Sequence, residues 1–357
     1  MTTAPPRPHP WTGSAPPPAR GARLAFSARR LRIAAVYGTL LAATTAVFAV
    51  SLMVGDYAIA LPDVLLALTG EGKRLDVFFV QGVRLPRAWT AVLVGVALGI
   101  AGGVFQSLSR NPLGSPDIIG FTGGASTAAV ATILVFGGTM TQVSIGAVIG
   151  GIATAGLVYL LALKKGVQGY RLILVGIGIN ALLLAVRDYL MTRADLTEAV
   201  AAQVWMIGSL HGRGWGEVIA VAIGVGVLGP AVLALGQRLR LMEMGDDTAH
   251  ALGVPVQTTQ VTALILASAL TGAAIAVSGP IGFIALAAPQ LARRLARTTG
   301  TPIFGAGLMG ALLLVTADLV GQRALAPAQL PVGAVTAVIG GSYLIWLLYR
   351  EWRTGRA

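Results

Sequence analysis

The sequence predicts an all-α, polytopic membrane protein with ten transmembrane helices, and three observations carry that prediction. Hydrophobic residues make up 55% of the 357 residues and charged residues only 11%, against about 25% charged in an ordinary soluble domain. Mean hydropathy is correspondingly high, at +0.78. Apolar runs recur along nearly the whole chain, most near the roughly 20 residues that cross the hydrocarbon core of a bilayer. These features exclude a soluble enzyme, a disordered protein and a disulfide-stapled scaffold. Cysteine is absent, which removes disulfides, thiolate metal sites, iron–sulfur clusters and cysteine nucleophiles. Three scattered histidines make no metal cluster. The net charge of +12 is read as basic cytoplasmic loops and not as affinity for nucleic acid.

Residues 1–32 are polar and rich in Pro and Arg (PPRPHP, APPPAR, SARRLR). They bury too little apolar surface to fold alone and are expected to form a disordered cytoplasmic tail. Arg29 and Arg30 are read as the anchor of the first helix and not as a twin-arginine signal, because the run that follows is of full spanning length and nine more come after it. The ten runs are 33–55, 86–108, 118–137, 142–163, 172–191, 217–236, 257–278, 281–296, 302–321 and 331–350. They place a transmembrane domain at 33–350 and a short cytoplasmic tail at 351–357. With the tail inside, 18 Lys and Arg fall in inner segments and 8 in outer ones, which favours both termini in the cytoplasm. Residues 56–85 are expected to be an outer loop with a short helix near Pro62, 192–216 a second outer segment, and 237–256 the longest inner loop between two spans. Gly95, Gly99 and Gly103 repeat on one face of the second helix, which suits close backbone packing within the subunit.

Chemistry is limited by what the spans lack. Every Asp, Glu, Lys and Arg is expected outside the central part of a span, with Arg187, Asp188 and Asp318 at outer helix ends. A proton-coupled carrier keeps ionisable groups at mid-depth, so that class is disfavoured. An ion-coupled secondary carrier using carbonyls and hydroxyls remains as an alternative. Ser126 has no His or Lys in a span to activate it and is expected to be a packing residue. The Gly-Glu-Gly-Lys run at 70–73 lacks the spacing and the Ser or Thr of a phosphate loop. No catalytic residue, metal ligand or bound cofactor is therefore expected in this chain. Arg84 and Arg87 flank Pro86 at the outer mouth of the second helix, as a positive fork. Asn111-Pro112-Leu113-Gly114 breaks the inner end of that helix. Asn180 is the clearest polar residue inside a span. It is expected either to line a pathway or to bond a neighbouring helix. Asp246 or Asp247 is expected to cap a short helix ending at Gly253.

Four blocks together resemble the FecCD/BtuC-type permease family, the membrane subunits of ABC importers for iron–siderophore, haem and cobalamin. They are RLPRAWTAVLVGVALGIAGGVFQSLSRNPLGSPDIIGF (84–121), RLILVGIGINALL (171–183), LMEMGDDTAHALGV (241–254) with SGPIGFIALAAPQLARRL (278–295), and QLPVGAVTAVIGGSYLIWLL (329–348). The likeness covers nearly all residues after the tail. Within the family the chain looks most like the ferric-enterobactin branch, through NPLGSPD, MGDDTA and GGSYLIWLL.

The resemblance implies a BtuC-like, type II ABC importer fold that forms half of a translocation path. Its implied partners are a second permease subunit (a paralogue or itself), two ATPase subunits that hold ATP and magnesium, and an extracytoplasmic substrate-binding protein. It implies docking of that binding protein on Arg84, Arg87 and Arg323, although Gln322 and Gln329 depart from the family pattern nearby. It implies a cytoplasmic gate at Asn111 and Leu113. It implies coupling to the ATPase through Glu243, Met244, Gly245, Asp246, Asp247, Ala249, Leu252 and Gly253. The cargo implied is a ferric catecholate, with hydroxamate, haem or cobalamin as alternatives.

Overall fold

The computed structural model describes residues 20–117, 120–162 and 169–353. The described residues hold fourteen α-helices and one π-helical segment and, for β-structure, a single isolated bridge between Leu325 and Ala328. Helix α1 (Arg20–Met53) leads to the short helices α2 (Leu61–Leu68) and α3 (Arg74–Val77), the second of which runs through a π-helical segment (Phe78–Arg84) into α4 (Leu85–Ser109). Then follow α5 (Phe121–Leu134), α6 (Met140–Ala162), α7 (Gly169–Arg193), α8 (Leu196–Ile207) and α9 (Trp215–Met242). The chain continues through α10 (Asp246–Ala251), α11 (Val256–Ser278), α12 (Ile284–Ala296), α13 (Ile303–Arg323) and α14 (Val332–Arg353).

Each of the ten expected runs carries a helix, and among the described residues seven helices are long and apolar enough to cross a membrane. Of the other three, α5 has 14 residues and α12 has 13, while α14 has 22. Ten full-length spans are thus not confirmed, because α5 and α12 are short. The chain before α5 enters the bundle as irregular backbone, with Gly120 against the Gly176 carbonyl. Such backbone is tolerated at depth where protein surrounds it.

Four expectations about boundaries are corrected. Residues 20–32 are the start of α1 and not part of a tail, because an Ala-, Leu- and Arg-rich stretch extends a helix already nucleated by the apolar run. Residues 1–19 and 354–357 lie outside the described residues. The second run begins at Arg74, so that a helical rod of 36 residues reaches Ser109, about 54 Å at 1.5 Å per residue. Pro86 therefore sits just past the change from π to α register and not at a free first turn, and that change accommodates its missing N–H. The outer segment 192–216 contains α8, which was not foreseen. The short helix near Pro62 is present as α2.

Helix α4 is the centre of the bundle and packs on α13, α9, α11 and α12. Of its most apolar stretch 78% is buried, against 11% in α1 and α7. Its Ala91, Val94, Ala97, Leu98, Ala101, Val104 and Phe105 form the middle of the main core. Glycine lets α4 lie against its neighbours. A Cβ on Gly95 would overlap the Gly310 carbonyl, and one on Gly99 the Ala306 carbonyl, both on α13. The glycine stripe thus packs within the subunit as expected, except that the third tight position is Gly102, against the Ala285 carbonyl, and not Gly103.

The two glycines make opposite predictions. Gly102→Val drives a side chain into backbone and should destabilise by about 3 kcal/mol or more. Gly103→Ala places its methyl 3.5 Å from Thr301 Cγ2 and should leave stability within about 1 kcal/mol of the parent. Thermal unfolding of the detergent-solubilised chain measures both.

Candidate functional site

At one end of the bundle α9 closes at Glu243, and the chain turns through Gly245, at φ +117°, into α10. Gly245 caps the helix by its backbone. Neither aspartate caps it, and both Asp246 and Asp247 lie in the first turn, where acids suit the positive helix end. Gly253, at φ +81°, ends the segment. Met242, Ala249 and Val254 are buried together, with Leu241 and Leu108 packed against them. Met244 and Leu252 are 66% and 57% exposed, and Asp247, His250 and Gly253 share that open side.

The eight expected coupling residues therefore do not form one outward surface. Met244, Asp247, Leu252 and Gly253 face out. Ala249 is buried. The Glu243 carboxylate turns inward and accepts hydrogen bonds from Ser107 Oγ at 2.7 Å and from the Thr301 N–H at 3.2 Å. Asp246 is ion-paired with Arg110. A short helix on its own subunit needs an inner face as well as an outer one, and these residues supply it.

Beyond α4, Arg110 adopts a left-handed conformation with φ +48°. Asn111 Oδ1 accepts the Leu113 N–H at 2.9 Å, and the Asn111 carbonyl accepts the Gly114 N–H at 2.9 Å. The Pro112 carbonyl accepts a bond from Gln290 Nε2 at 2.8 Å. Asn111 is thus committed to a tight turn while Leu113 is exposed. The chain then climbs back into the bundle, where Asp117 accepts a hydrogen bond from Thr122 Oγ1. The neighbouring Gly120 lies against Gly176, Thr154 and Asn180. Thr154 is eight residues from the end of α6, about 12 Å along the helix. Asn180 packs against Gly123 of α5.

At the opposite end a cavity of about 610 Å³ is lined by Arg84, Arg87, His211, Arg213, Asp318 and Gln329 among others. Arg84 is only 9% exposed. Its guanidinium donates to the Leu52 carbonyl at 2.8 Å, the Met53 carbonyl at 3.2 Å and the Tyr57 carbonyl. Leu52 and Met53 end α1, and the last carbonyls of a helix lack helical partners and attract a cation. Arg87 donates Nε and Nη2 to Asp318 at 2.9–3.2 Å and Nη1 to Gln329 Oε1 at 2.9 Å.

The free two-arginine fork is therefore not present. A guanidinium carried this far from water must be paired, and α1 and α13 provide the acceptors. Gln322 bonds Asp318 at 2.8 Å from one turn away, and this i, i+4 spacing was the signal in the sequence. Arg323 reaches Asp56 at 3.6 Å and is about 29% exposed. Burial pulls the Arg213 pKa down, and neighbouring Glu217 opposes that shift.

A third feature is a groove of about 340 Å³ along α5, α7 and the start of α14, with Thr122, Ser126, Arg187, Met206, Gly282 and Gly333 on its wall. Ser126 Oγ donates to the Thr122 carbonyl at 2.7 Å, a packing bond, and no base lines the groove. Arg187, placed by the sequence at a helix end with no role, points into it while bonding Asp188 at 2.8–3.0 Å. Among the described residues no cluster of three or more His, Asp or Glu is placed to hold a metal ion.

Comparison with known proteins accounts for this arrangement. The chain is 44% identical to the ferric enterobactin transport system permease protein FepG of Escherichia coli (strain K12), over 84% of this chain and 91% of the relative. It is 37% identical to the achromobactin transport system permease protein CbrC of Dickeya dadantii (strain 3937), over 86% and 88%. An ABC transporter solved in an inward-facing conformation superposes with a TM-score of 0.79 at 27% identity, covering 88% of this chain and 99% of that one. The model of the FecCD transport family matches residues 42–350, and the chain belongs to that family, as an ABC transporter permease whose ATPase activity lies in a separate subunit.

Proposed function

We propose that the chain is the permease subunit of an ATP-driven importer for ferric catecholate chelates, with both termini in the cytoplasm. Two such subunits, identical or paralogous, face each other and enclose the path. The groove bearing Thr122, Ser126 and Arg187 lies on that path. An extracytoplasmic binding protein docks at the end bearing the large cavity, where Arg323 is the most exposed of the three docking arginines. Arg87 presents its edge there, and Arg84 shapes the floor by holding the end of α1. Two ATPase subunits, which carry ATP and magnesium, take up the outward side of α10. Asn111 and Leu113 narrow the path at the cytoplasmic end, and Asn180 supports its wall.

The observation that carries this reading is the exposure of Met244 and Leu252, which flank the short helix α10 on either side. That end also gathers the start of α1, where Arg29 bonds Thr299 at 3.5 Å, and the basic pair Arg293 and Arg294 in the last turn of α12. Apolar side chains on a short helix seek a groove on a partner, and basic residues favour the cytoplasmic side. The catecholate assignment is supported by the likeness to FepG and by Arg187 on the groove. A ferric tris-catecholate is an anion, and a cation on the wall lowers the cost of admitting it. Cargo remains wrapped by its chelator, so the path needs no iron ligands of its own.

Three measurements test the reading. Met244→Glu with Leu252→Glu should lower capture of the partner ATPase by about tenfold or more, while the permease still folds, and unchanged capture removes α10 as the contact. Arg323→Glu should lower uptake about fivefold at limiting binding protein, with the ATPase still assembled. Arg187→Glu should cut uptake of ferric catecholate about tenfold while sparing a neutral ferric hydroxamate, and equal loss of both cargoes removes the catecholate assignment.

A further inference from the structure

The outward half of α10 explains where a partner presses, but not how the push reaches the path. Three hydrogen-bonded links join this segment to the last turn of α4. Ser107 Oγ donates to Glu243 Oε1 at 2.7 Å. Arg110 Nε donates to the Met242 carbonyl at 3.0 Å. Arg110 Nη2 is ion-paired with Asp246. Glu243 also holds the Thr301 N–H at 3.2 Å, so the same carboxylate ties in the connection before α13. On the far side of the turn, Gln290, which is 2% exposed, grips the Pro112 carbonyl at 2.8 Å.

We infer that Arg110, with Ser107, is a positioning latch that makes α10 and the turn at residues 110–114 move as one body, so that displacement of α10 is delivered to Asn111 and Leu113. This rests on the proposed role of α10 as the ATPase contact. An exposed ion pair alone holds little, since water and salt screen it, and the Arg110 and Asp246 side chains are about 40% and 39% exposed. The latch is more than that pair. Arg110 also bonds a backbone carbonyl, and its own backbone sits at φ +48°, a conformation that a non-glycine residue keeps only when its surroundings hold it. The residue so held is the one immediately before Asn111. Helix α10 has six residues and is too short to transmit a displacement without such attachments. Coupling through a contiguous set of bonds to a two-state element is the physical form that transmission takes.

The test uses the whole importer in proteoliposomes, with cargo uptake and ATP turnover measured separately. Arg110→Gln should retain the ATPase and its turnover, yet lower uptake about tenfold, so that ATP consumed per cargo rises in proportion. Ser107→Ala, a smaller change in the same linkage, should lower uptake about threefold with the same separation. Exchanging the charges, Arg110→Glu with Asp246→Arg, should recover uptake relative to Arg110→Glu alone. Uptake by Arg110→Gln within about twofold of the parent would overturn the latch, as would uptake and ATPase capture falling together, or an exchange that recovers nothing. If the parent chain itself captures no ATPase, the reading of α10 fails. If the parent is coupled and Arg110→Gln is equally coupled, only the latch fails.

Discussion

No water is available inside a bilayer to take up an unpaired donor or acceptor, so nearly every polar group that this chain carries into its bundle finds a partner within the chain, the hydroxyls of Thr259 and Ser268 being exceptions. Most of the geometry described above follows from that constraint. Gln106 donates to the Leu286 carbonyl and Gln290 to the Pro112 carbonyl, and both glutamines thereby fasten α12 to α4 or to the turn after it. Hydroxyls take the carbonyl one turn back, as Thr90 does with Pro86 and Thr271 with Ala267. Arg87 and Asp318 pair across α4 and α13. The pair is largely buried on the cavity wall, where losing one partner would leave the other charge poorly solvated.

The second constraint is that hydrocarbon offers no gain from hiding apolar surface, so helices hold together by close contact. Gly95, Gly99 and Gly102 bring α4 within backbone reach of α13 and of the start of α12. A central helix so clasped is stiff, and stiffness matters for a permease subunit. The proposed transmission from α10 requires that the elements between do not yield. The connections at the two ends of α4 differ accordingly. One end continues into a π-helical segment beside the cavity lined by Arg84 and Arg87, and the other stops at a left-handed arginine bonded to Met242 and Asp246.

Several residues were legible as important before their roles were. Glu243 and Asp246 belong to the acid-rich run expected to meet a partner, yet they bind their own subunit. Ala249 is in the same run and is buried. Sequence pattern shows that a short helix has an apolar side and a polar side, but not which neighbours already occupy each. Arg84 is similar. Beside Pro86 at a helix mouth it reads as an outward fork, whereas the unsatisfied carbonyls that claim it lie about thirty residues earlier, at the end of α1. Gln322 and Gln329 look like departures from a family pattern, and both are partners in the Arg87–Asp318 cluster.

By itself the sequence determined the membrane class, the ten helical positions, the glycine contact face of α4 and the family. The first three depend on composition or on spacing within one segment, where the 3.6-residue period and the thickness of a bilayer leave few alternatives, and the family rests on likeness across four blocks of the chain. The tertiary structure alone decided which arginines are engaged, what Glu243 and Asp246 bind and which side of α10 is open. Those outcomes depend on contacts between residues from 30 to more than 200 positions apart, and pairing at that range is set by how helices pack, which no local pattern encodes.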